Sequence, residues 1–343
     1  MGPAPAGTET IEAETLMSKV KPGMSLLLFP EMETPEADPI LIADVDWSHS
    51  RRSTLFHCPR QYYYEYFGSN LRKAKADPRK EKLRSLKTLK NRFERAGEIL
   101  HFIIRTFFKK AQQGELWEVD RLTSWAGALM AKDVAYSRNL KNGDASSQVF
   151  PPVALLEFYY GHPDREQQLV EITKRLDSAL RNFYCSSEIY PLRQAGTRAG
   201  SLVETRVLIP NVECAASGVV DLAFEEGGRW YIADWKMGSS ESVENLQLFA
   251  YGLWAHAAFK VPAEALRLCL VSLAAGKLKT FQVTETELNA ARVRIIEDAQ
   301  CMATLIRYGL EGVEEAFTPC AQARVCRLCA FQEICPEGQV ARS

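Results

Sequence analysis

The segment that most constrains the fold is ASGVVDLAFEEGGRWYIADWKMG, residues 216–238. Two runs rich in β-branched and aromatic residues flank Gly227 and Gly228, a pattern that predicts two antiparallel strands joined by a tight turn. Asp221 lies inside the first run and Asp234 inside the second. An ionised carboxylate in a buried strand is costly unless an ion pair or a metal compensates it. The hairpin therefore predicts two carboxylates that converge on one divalent cation.

The sequence on either side of this hairpin extends the sheet. SLVETRVLIP (201–210) precedes it as another strand, and LRLCLVSLA and KLKTFQVT follow a helix that we place at 241–259. An amphipathic helix at 285–309 comes next, and the pattern over 110–195 is mainly helical. The chain is therefore predicted to be an α/β domain, with a mixed central sheet flanked by helices and a large helical insertion.

Lys236 follows Asp234 by two residues, and this spacing puts both side chains on the same face of a strand. Carboxylates hold Mg²⁺ or Mn²⁺, and a neighbouring ammonium steadies an attacking water or the charge that develops on a phosphate. The arrangement is that of a phosphodiester-cleaving site. The alternative is that both acids are ordinary strand-end or ion-paired residues.

Charge and hydropathy exclude several classes of protein. The chain has 343 residues and a formal net charge of -1, so any contact with nucleic acid must come from local patches. It contains no apolar run of about 18 residues, and its N-terminus lacks the pattern of a secretory signal. We expect no membrane association, a cytoplasmic location, and a flexible leader over residues 1–45.

One strongly basic patch is present. Residues 70–95 contain eleven Lys or Arg and three acids, a composition that suits contact with a phosphate backbone. Just upstream, Tyr62, Tyr63, Tyr64 and Tyr66 could stack on the bases of a single strand or pack inside the protein.

The C-terminal stretch VCRLCAFQEIC places Cys326, Cys329 and Cys335 at C-x₂-C-x₅-C spacing, with Cys320 just upstream. In a chain without an export signal, cysteines are expected to be reduced, buried or metal-bound rather than paired in disulfides. Three closely spaced thiols indicate a metal site that lacks its fourth ligand.

GVVD followed by IADWK resembles the G-x-x-D … D-x-K core of the PD-(D/E)XK nucleases, whose fold has a restriction-endonuclease-like core. Within that superfamily the chain is similar to the RecB-type branch, which includes the AddB nuclease domain and the CRISPR-associated exonucleases that carry an iron–sulfur cluster. GEILH, ENLQLFAYGLW and VETRVLIP match that branch as well. The resemblance covers about 48–110 and 200–337, within a nuclease domain placed at 46–337.

The resemblance implies a Mg²⁺- or Mn²⁺-dependent deoxyribonuclease and a role for each matching residue. Lys236 is the catalytic ammonium, and Gln247 and Tyr251 line the site and touch the nucleic acid. Glu204 matches the family pattern, but we assign it no ligand role. The implied metal ligands are His101, Asp221, Asp234 and the carbonyl of Trp235.

The resemblance also supplies the missing thiol. Cluster-bearing members of the branch place one cysteine far upstream, and Cys58 in FHCPRQYYYEYF occupies that position. A [4Fe–4S] cluster held by Cys58, Cys326, Cys329 and Cys335 is therefore implied, with zinc as the alternative and Cys320 outside the ligand set. This cluster would staple the segment 318–337 to the start of the domain.

The family further implies exonuclease action on single-stranded DNA or DNA ends, in DNA repair, recombination or antiviral defence against foreign DNA. The sequence has no G-x-x-x-x-G-K-[ST] loop, so strand separation would require a helicase or another partner subunit. Two alternatives stay open: a nuclease that acts on RNA, and a non-catalytic subunit that keeps the fold to bind DNA ends or a partner.

Overall fold

The computed structural model describes residues 41–70, 77–139, 150–238 and 245–342. The predicted leader lies almost entirely outside these residues. A mixed six-stranded sheet forms the centre of the described chain. Its strands are β1 (Asp46–Trp47), β2 (Leu202–Ile209), β3 (Ala215–Glu226), β4 (Arg229–Lys236), β5 (Leu266–Ser272) and β6 (Lys277–Gln282).

The long strand β3 organises this sheet. It pairs in parallel with β1 and antiparallel with both β2 and β4, while β4 pairs in parallel with β5 and β5 antiparallel with β6. Gly227 and Gly228 close the β3–β4 hairpin with φ values of 61° and 73°, which side chains with a Cβ rarely adopt. The two glycines thus explain why the chain reverses at this point.

Helices cover the sheet and extend from it. They are α1 (His49–His57), α2 (Pro59–Tyr63), α3 (Pro78–Leu86), α4 (Arg92–Ala111), α5 (Val119–Arg138), α6 (Leu156–Tyr159), α7 (Arg165–Cys185), α8 (Tyr190–Gly196), α9 (Leu246–Phe259), α10 (Glu285–Glu311), α11 (Ala323–Cys326) and α12 (Pro336–Arg342). The predicted α/β architecture with a mixed central sheet flanked by helices is confirmed. None of the described helices combines the length and apolarity needed to cross a lipid bilayer.

Two hydrophobic cores lie on the two sides of the sheet. The first contains α9, α10 and the aromatic residues that follow Cys58. The second contains α4, α5, α7 and α8. Trp235 belongs to the second core, where its ring lies 6.2 Å from that of Phe108 and 5.7 Å from that of Phe183. Strand β4 is thereby anchored at the position between Asp234 and Lys236.

Helix α4 begins with a full capping box. The Asn91 side chain accepts hydrogen bonds from the backbone N–H groups of Phe93 and Glu94, and the Glu94 carboxylate accepts one from the N–H of Asn91. Such a cap satisfies donors that the first helical turn leaves unpaired. It fixes the start of the helix that carries His101 toward the sheet.

Several basic side chains of 70–95 have partners inside the protein. Arg79 pairs with Glu314 and Lys82 with Glu333 in the C-terminal region. Three more ion pairs join Lys90 to Glu98, Arg92 to Glu157 and Arg95 to Asp133. These charges brace α3 and α4 against the rest of the chain, so the described part of the patch offers less free positive charge than its composition suggests.

The tyrosines after Cys58 divide by burial. Tyr62, Tyr63 and Tyr64 are buried, and the rings of Tyr63 and Tyr64 lie about 5 Å from those of Phe317 and Phe331 respectively. Packing inside the protein, rather than base stacking, therefore describes these three. Tyr66 is only partly buried, and the Arg51 guanidinium lies over its ring.

Candidate active site

Three carboxylates lie side by side across three neighbouring strands. The pairing of Val203 with Leu222 and of Thr205 with Val220 puts Glu204 directly opposite Asp221. The pairing of Leu222 with Ala233 makes Asp221 and Asp234 the next opposed pair across the hairpin. We call Glu204, Asp221 and Asp234 the acidic row.

The acidic row is largely shielded from water. Asp221 is 5% exposed and Asp234 2% exposed. Like charges directly opposite one another destabilise a sheet, and burial strengthens that repulsion. The row therefore requires positive charge close to it.

His101 of α4 supplies positive charge at one end of the row. Its Nδ1 lies 3.0 Å from Asp221 Oδ1 and 3.5 Å from Glu204 Oε1. Burial lowers the pKa of His101, but the two carboxylates outweigh burial and raise it to about 10. The ring is therefore an imidazolium at neutral pH.

Glu204 is the member of the site for which sequence reasoning gave no ligand role. Its φ of 48° lies in the left-handed region, which is rare for a residue with a long side chain. Such strain occurs often at functional sites. His101, Glu204 and Asp221 offer ligand atoms that all lie within 4.8 Å of one another. Among the described residues, this is the one group of three or more His, Cys, Asp or Glu that lies so close together.

Lys236 supplies positive charge at the other end of the row. Its Nζ lies 2.7 Å from Asp234 Oδ2 and donates a hydrogen bond of 2.7 Å to Gln247 Oε1. Burial and the nearby Asp221 raise the pKa of Asp234 to about 6, although Lys236 opposes them. The Asp234 carboxylate faces Lys236, which is why it lies outside the compact group around His101.

Helix α9 holds Lys236 from the side. Gln247 Nε2 donates to Tyr251 Oη at 2.8 Å, so Gln247 bridges the ammonium and the phenol. Burial raises the pKa of the Tyr251 hydroxyl. Its ring lies against Gly218 so closely that a Cβ added to Gly218 would come within 2.5 Å of Cε1. The four-residue spacing of Gln247 and Tyr251 thus produces a chain of hydrogen bonds that ends at Lys236.

Asp221 is oriented by the backbone as well. The N–H of Trp235 donates to Asp221 Oδ2 at 2.8 Å, while Asp221 Oδ1 faces His101. Oxygen donors of this kind are those that Mg²⁺ and Mn²⁺ prefer, and imidazole suits first-row transition metals. The donor set of His101, Glu204 and Asp221 therefore fits a hard divalent cation, with Asp234 at the neighbouring position.

The cysteines form a second cluster, remote in sequence from the acidic row. All nine are free thiols, and five of them line one cavity near the C-terminus. Four of the five are the predicted ligands. The fifth is Cys320, which sequence reasoning left outside the ligand set. The cavity is lined by Cys58, Cys320, Cys326, Cys329 and Cys335, together with Arg60, Gln61, Tyr64, Pro319, Val325, Gln332 and Gly338.

The thiols of this cavity receive backbone hydrogen bonds. The N–H of Phe331 donates to Cys329 Sγ at 3.5 Å. Burial raises the pKa of Cys58 and that of Cys326 to about 11 each. These thiols are therefore protonated at neutral pH, and a metal that binds them must displace their protons.

Polar contacts fix the C-terminal segment to the helices that follow Cys58. Glu314 accepts hydrogen bonds from Arg60 at 2.9 Å, from Tyr64 at 2.6 Å and from Arg79 at 2.6 Å. Arg60 also donates to the carbonyl of Phe317 at 2.7 Å. Cys58 and the C-terminal cysteines are thus held together by contacts outside the cavity itself.

Comparison with known proteins connects this geometry to one family. A model of the PD-(D/E)XK nuclease superfamily matches residues 46–336, a span that contains both the acidic row and the five cysteines of the cavity. No curated protein matches the chain. Among solved structures, the crystal structure of SSO0001 aligns with 62% of this chain and 96% of that chain, at 15% identity and a TM-score of 0.27. A TM-score of 0.27 does not indicate a shared fold.

Proposed function

The chain belongs to the PD-(D/E)XK nuclease superfamily, and on that premise we propose that it is a RecB-type deoxyribonuclease that depends on Mg²⁺ or Mn²⁺. The observation that carries the proposal is the acidic row with His101 at one end and Lys236 at the other. Opposed buried carboxylates are costly, and a site that concentrates negative charge in this way is suited to holding a cation. Phosphodiester hydrolysis is the chemistry that such a cation and a neighbouring ammonium serve.

The proposed cation ligands are His101, Asp221, Asp234 and the carbonyl of Trp235, and the compact group around His101 adds Glu204 to them. A bound divalent cation supplies Lewis acidity toward a phosphate oxygen and lowers the pKa of an attacking water. The protein's own part is to fix the orientation of these donors. The hydrogen bond from the Trp235 N–H to Asp221 does this from the backbone.

Lys236 is proposed as the catalytic ammonium. Its Nζ is held between Asp234 and Gln247, so its position is set before substrate arrives. A fixed ammonium stabilises the negative charge that develops on the phosphate during attack, without the cost of reorganising solvent. Gln247 and Tyr251 are proposed to keep Lys236 in place and to contact the nucleic acid.

The proposed substrate is DNA, either single-stranded or at duplex ends. The protein would degrade it as an exonuclease in DNA repair, recombination or defence against foreign DNA. The support is the similarity of GVVD, IADWK, GEILH and ENLQLFAYGLW to the RecB-type branch. A helicase or another subunit is the proposed partner, because a nuclease that prefers single strands needs them to be separated.

We further propose a [4Fe–4S] cluster on Cys58, Cys326, Cys329 and Cys335. Their convergence on one cavity supports a metal group at this place. The C-x₂-C-x₅-C spacing of the last three, with the remaining cysteine far upstream in the chain, is unlike the ligand spacing of a zinc ribbon or finger, and this favours the cluster over zinc. The group would staple the two ends of the domain.

Incubation of the purified protein with end-labelled single-stranded DNA, duplex DNA and RNA, with Mn²⁺ or with EDTA, tests the proposed activity. We expect DNA cleavage with Mn²⁺, none with EDTA, and none by Asp234→Ala with Mn²⁺. Product ladders from 5′- and 3′-labelled strands give the polarity.

Two results would contradict the proposal in different ways. Cleavage of RNA in preference to DNA would keep the site and change the substrate. Tight binding of DNA ends without cleavage under any divalent cation would instead support a non-catalytic subunit. Equal cleavage by Asp234→Ala would show that the reaction occurs elsewhere on the chain.

A further inference from the structure

Cys320 lies in the cysteine cavity although the C-x₂-C-x₅-C motif does not include it. Its thiol lies close enough to those of Cys58 and Cys326 to raise the pKa of each. Cys320 thus lines the same cavity as the four predicted ligands.

The backbone around Cys320 directs it into the cavity. The backbone of Cys320 also lies close enough to the Cys58 thiol to lower its pKa, against the larger effect of burial. Ala321, the next residue, has a φ of 50°, a left-handed conformation that is unfavourable for alanine. The chain turns there before α11 begins, so that Cys320 and Cys326 both line the cavity.

We propose that Cys320 is a fifth ligand-competent thiol, able to replace Cys326 or Cys58 as an iron ligand when either is lost. This inference rests on the proposed cluster. In the replacement, the Cys320 thiol releases its proton to water, and its sulfur binds the iron that the missing thiol would have held. The cavity thus contains one more thiol than a cubane cluster requires. Loss of Cys326 or Cys58 should therefore be tolerated more readily than loss of Cys329.

Iron and acid-labile sulfide, measured per chain in anaerobically purified variants, test the role. We expect about four of each in the wild type, as a [4Fe–4S] cluster requires. Cys320→Ser and Cys326→Ser should each keep most of that content, and the double variant should lose it. Cys329→Ser, with Cys320 intact, is the matched control and should lose it alone.

Alkylation of Cys320, followed by mass spectrometry, gives a second readout that does not depend on protein yield. Cys320 should react with iodoacetamide in the wild-type protein and become protected in Cys326→Ser and in Cys58→Ser. Circular dichroism melting of the same samples identifies any variant that has failed to fold, and Cys58→Ser then serves in place of Cys326→Ser.

The outcomes separate the ligand role from the cluster itself. Iron in the wild type with complete loss in both Cys326→Ser and Cys58→Ser would overturn the role of Cys320 and leave the cluster standing. A wild-type protein that contains zinc, or no metal, would overturn both. Equal alkylation of Cys320 in all iron-containing samples would also overturn the role.

Discussion

At the scale of single residues, the acidic row is governed by charge balance. If the proposed cation binds, His101 is the residue whose protonation should change most, because its carboxylate partners raise its pKa to about 10. A cation ligand must be a neutral imidazole, so binding has to expel that proton. Asp234, with a pKa of about 6, is already ionised above neutral pH and releases few protons there.

The first prediction concerns proton release. At pH 8, Mn²⁺ binding should release about one proton per site, and the apparent affinity should rise roughly tenfold per pH unit until pH approaches the His101 pKa. Calorimetric titrations in buffers of different ionisation enthalpy measure this number. His101→Gln is the control, and it should bind Mn²⁺ without releasing the proton. Equal proton release by His101→Gln would assign the release to another group.

At the scale of elements, the contact between β3 and α9 positions the ammonium. Gly218 leaves the space that the Tyr251 ring fills, and Tyr251 in turn supports Gln247 and Lys236. Strand β3 therefore helps to position Lys236 because Gly218 has no side chain that would displace the Tyr251 ring. Lys236 itself is held on the other side by Asp234.

The second prediction follows from this contact. Gly218→Ala should displace Tyr251, lower the free energy of unfolding by about 1–3 kcal/mol and reduce the cleavage rate. Gly97→Ala is the matched control, because Gly97 lies within α4 and a Cβ there meets nothing within 4 Å. It should stabilise the protein by about 0.5–1 kcal/mol. Urea unfolding and cleavage rates of both variants check this prediction. A Gly218→Ala protein as stable and active as the wild type would refute it.

The elements themselves could largely be predicted from the sequence. The strand expected at 201–210 is β2, Leu202–Ile209, and the helix expected at 285–309 is α10, Glu285–Glu311. Alternating apolar residues and helical periodicity determine such boundaries locally. Strand β1 was missed because two residues are too few to show a period.

The role of Glu204 could not be predicted from the sequence, because it depends on an irregular strand. Val203 packs in the second core and Val207 in the first, although strict alternation would put both on one face. The left-handed φ of Glu204 lies between them. No spacing rule indicates such a residue, since the strand geometry, and not the residue order, turns its carboxylate toward His101.

The ion pairs of the basic segment 70–95 could not be predicted from the sequence either. Its composition favoured a nucleic-acid surface, but Arg79 pairs with Glu314, 235 residues away in the chain. Partners at such distances are set by the tertiary fold and leave no local signal. Five of the eleven basic side chains form ion pairs within the described residues.

At the scale of the whole molecule, the cysteine cavity joins the two ends of the domain. Cys58 precedes α2, and the other cysteines of the cavity lie after α10. A metal group that binds both segments contributes its binding energy to folding. Even without a metal group, the ion pairs of Glu314 with Arg60 and Arg79 join the C-terminal region to the helices that follow Cys58.

The third prediction tests this staple. Cys335→Ser should make the amides of 318–335 and of α2 exchange faster by at least about tenfold, because local opening becomes cheaper. The β5–β6 pair should change less, since none of its residues lines the cavity. Cys185→Ser is the matched control, because Cys185 is exposed and outside the cavity. Hydrogen exchange read by mass spectrometry gives these rates, and unchanged exchange in Cys335→Ser would exclude a structural role for the cavity.

We propose that hydrolysis takes place at the acidic row with Lys236 as the catalytic ammonium. Single-turnover cleavage of labelled DNA by Lys236→Met, measured together with its Mn²⁺ affinity, is the sharpest test of this proposal. We expect a rate about 10²–10⁴-fold lower than that of the wild type, because charge stabilisation of the transition state is lost. Mn²⁺ should bind no more weakly than in the wild type, because Lys236 is not a proposed cation ligand. Cleavage at the wild-type rate by Lys236→Met with Mn²⁺ bound would show that Lys236 is not the catalytic ammonium.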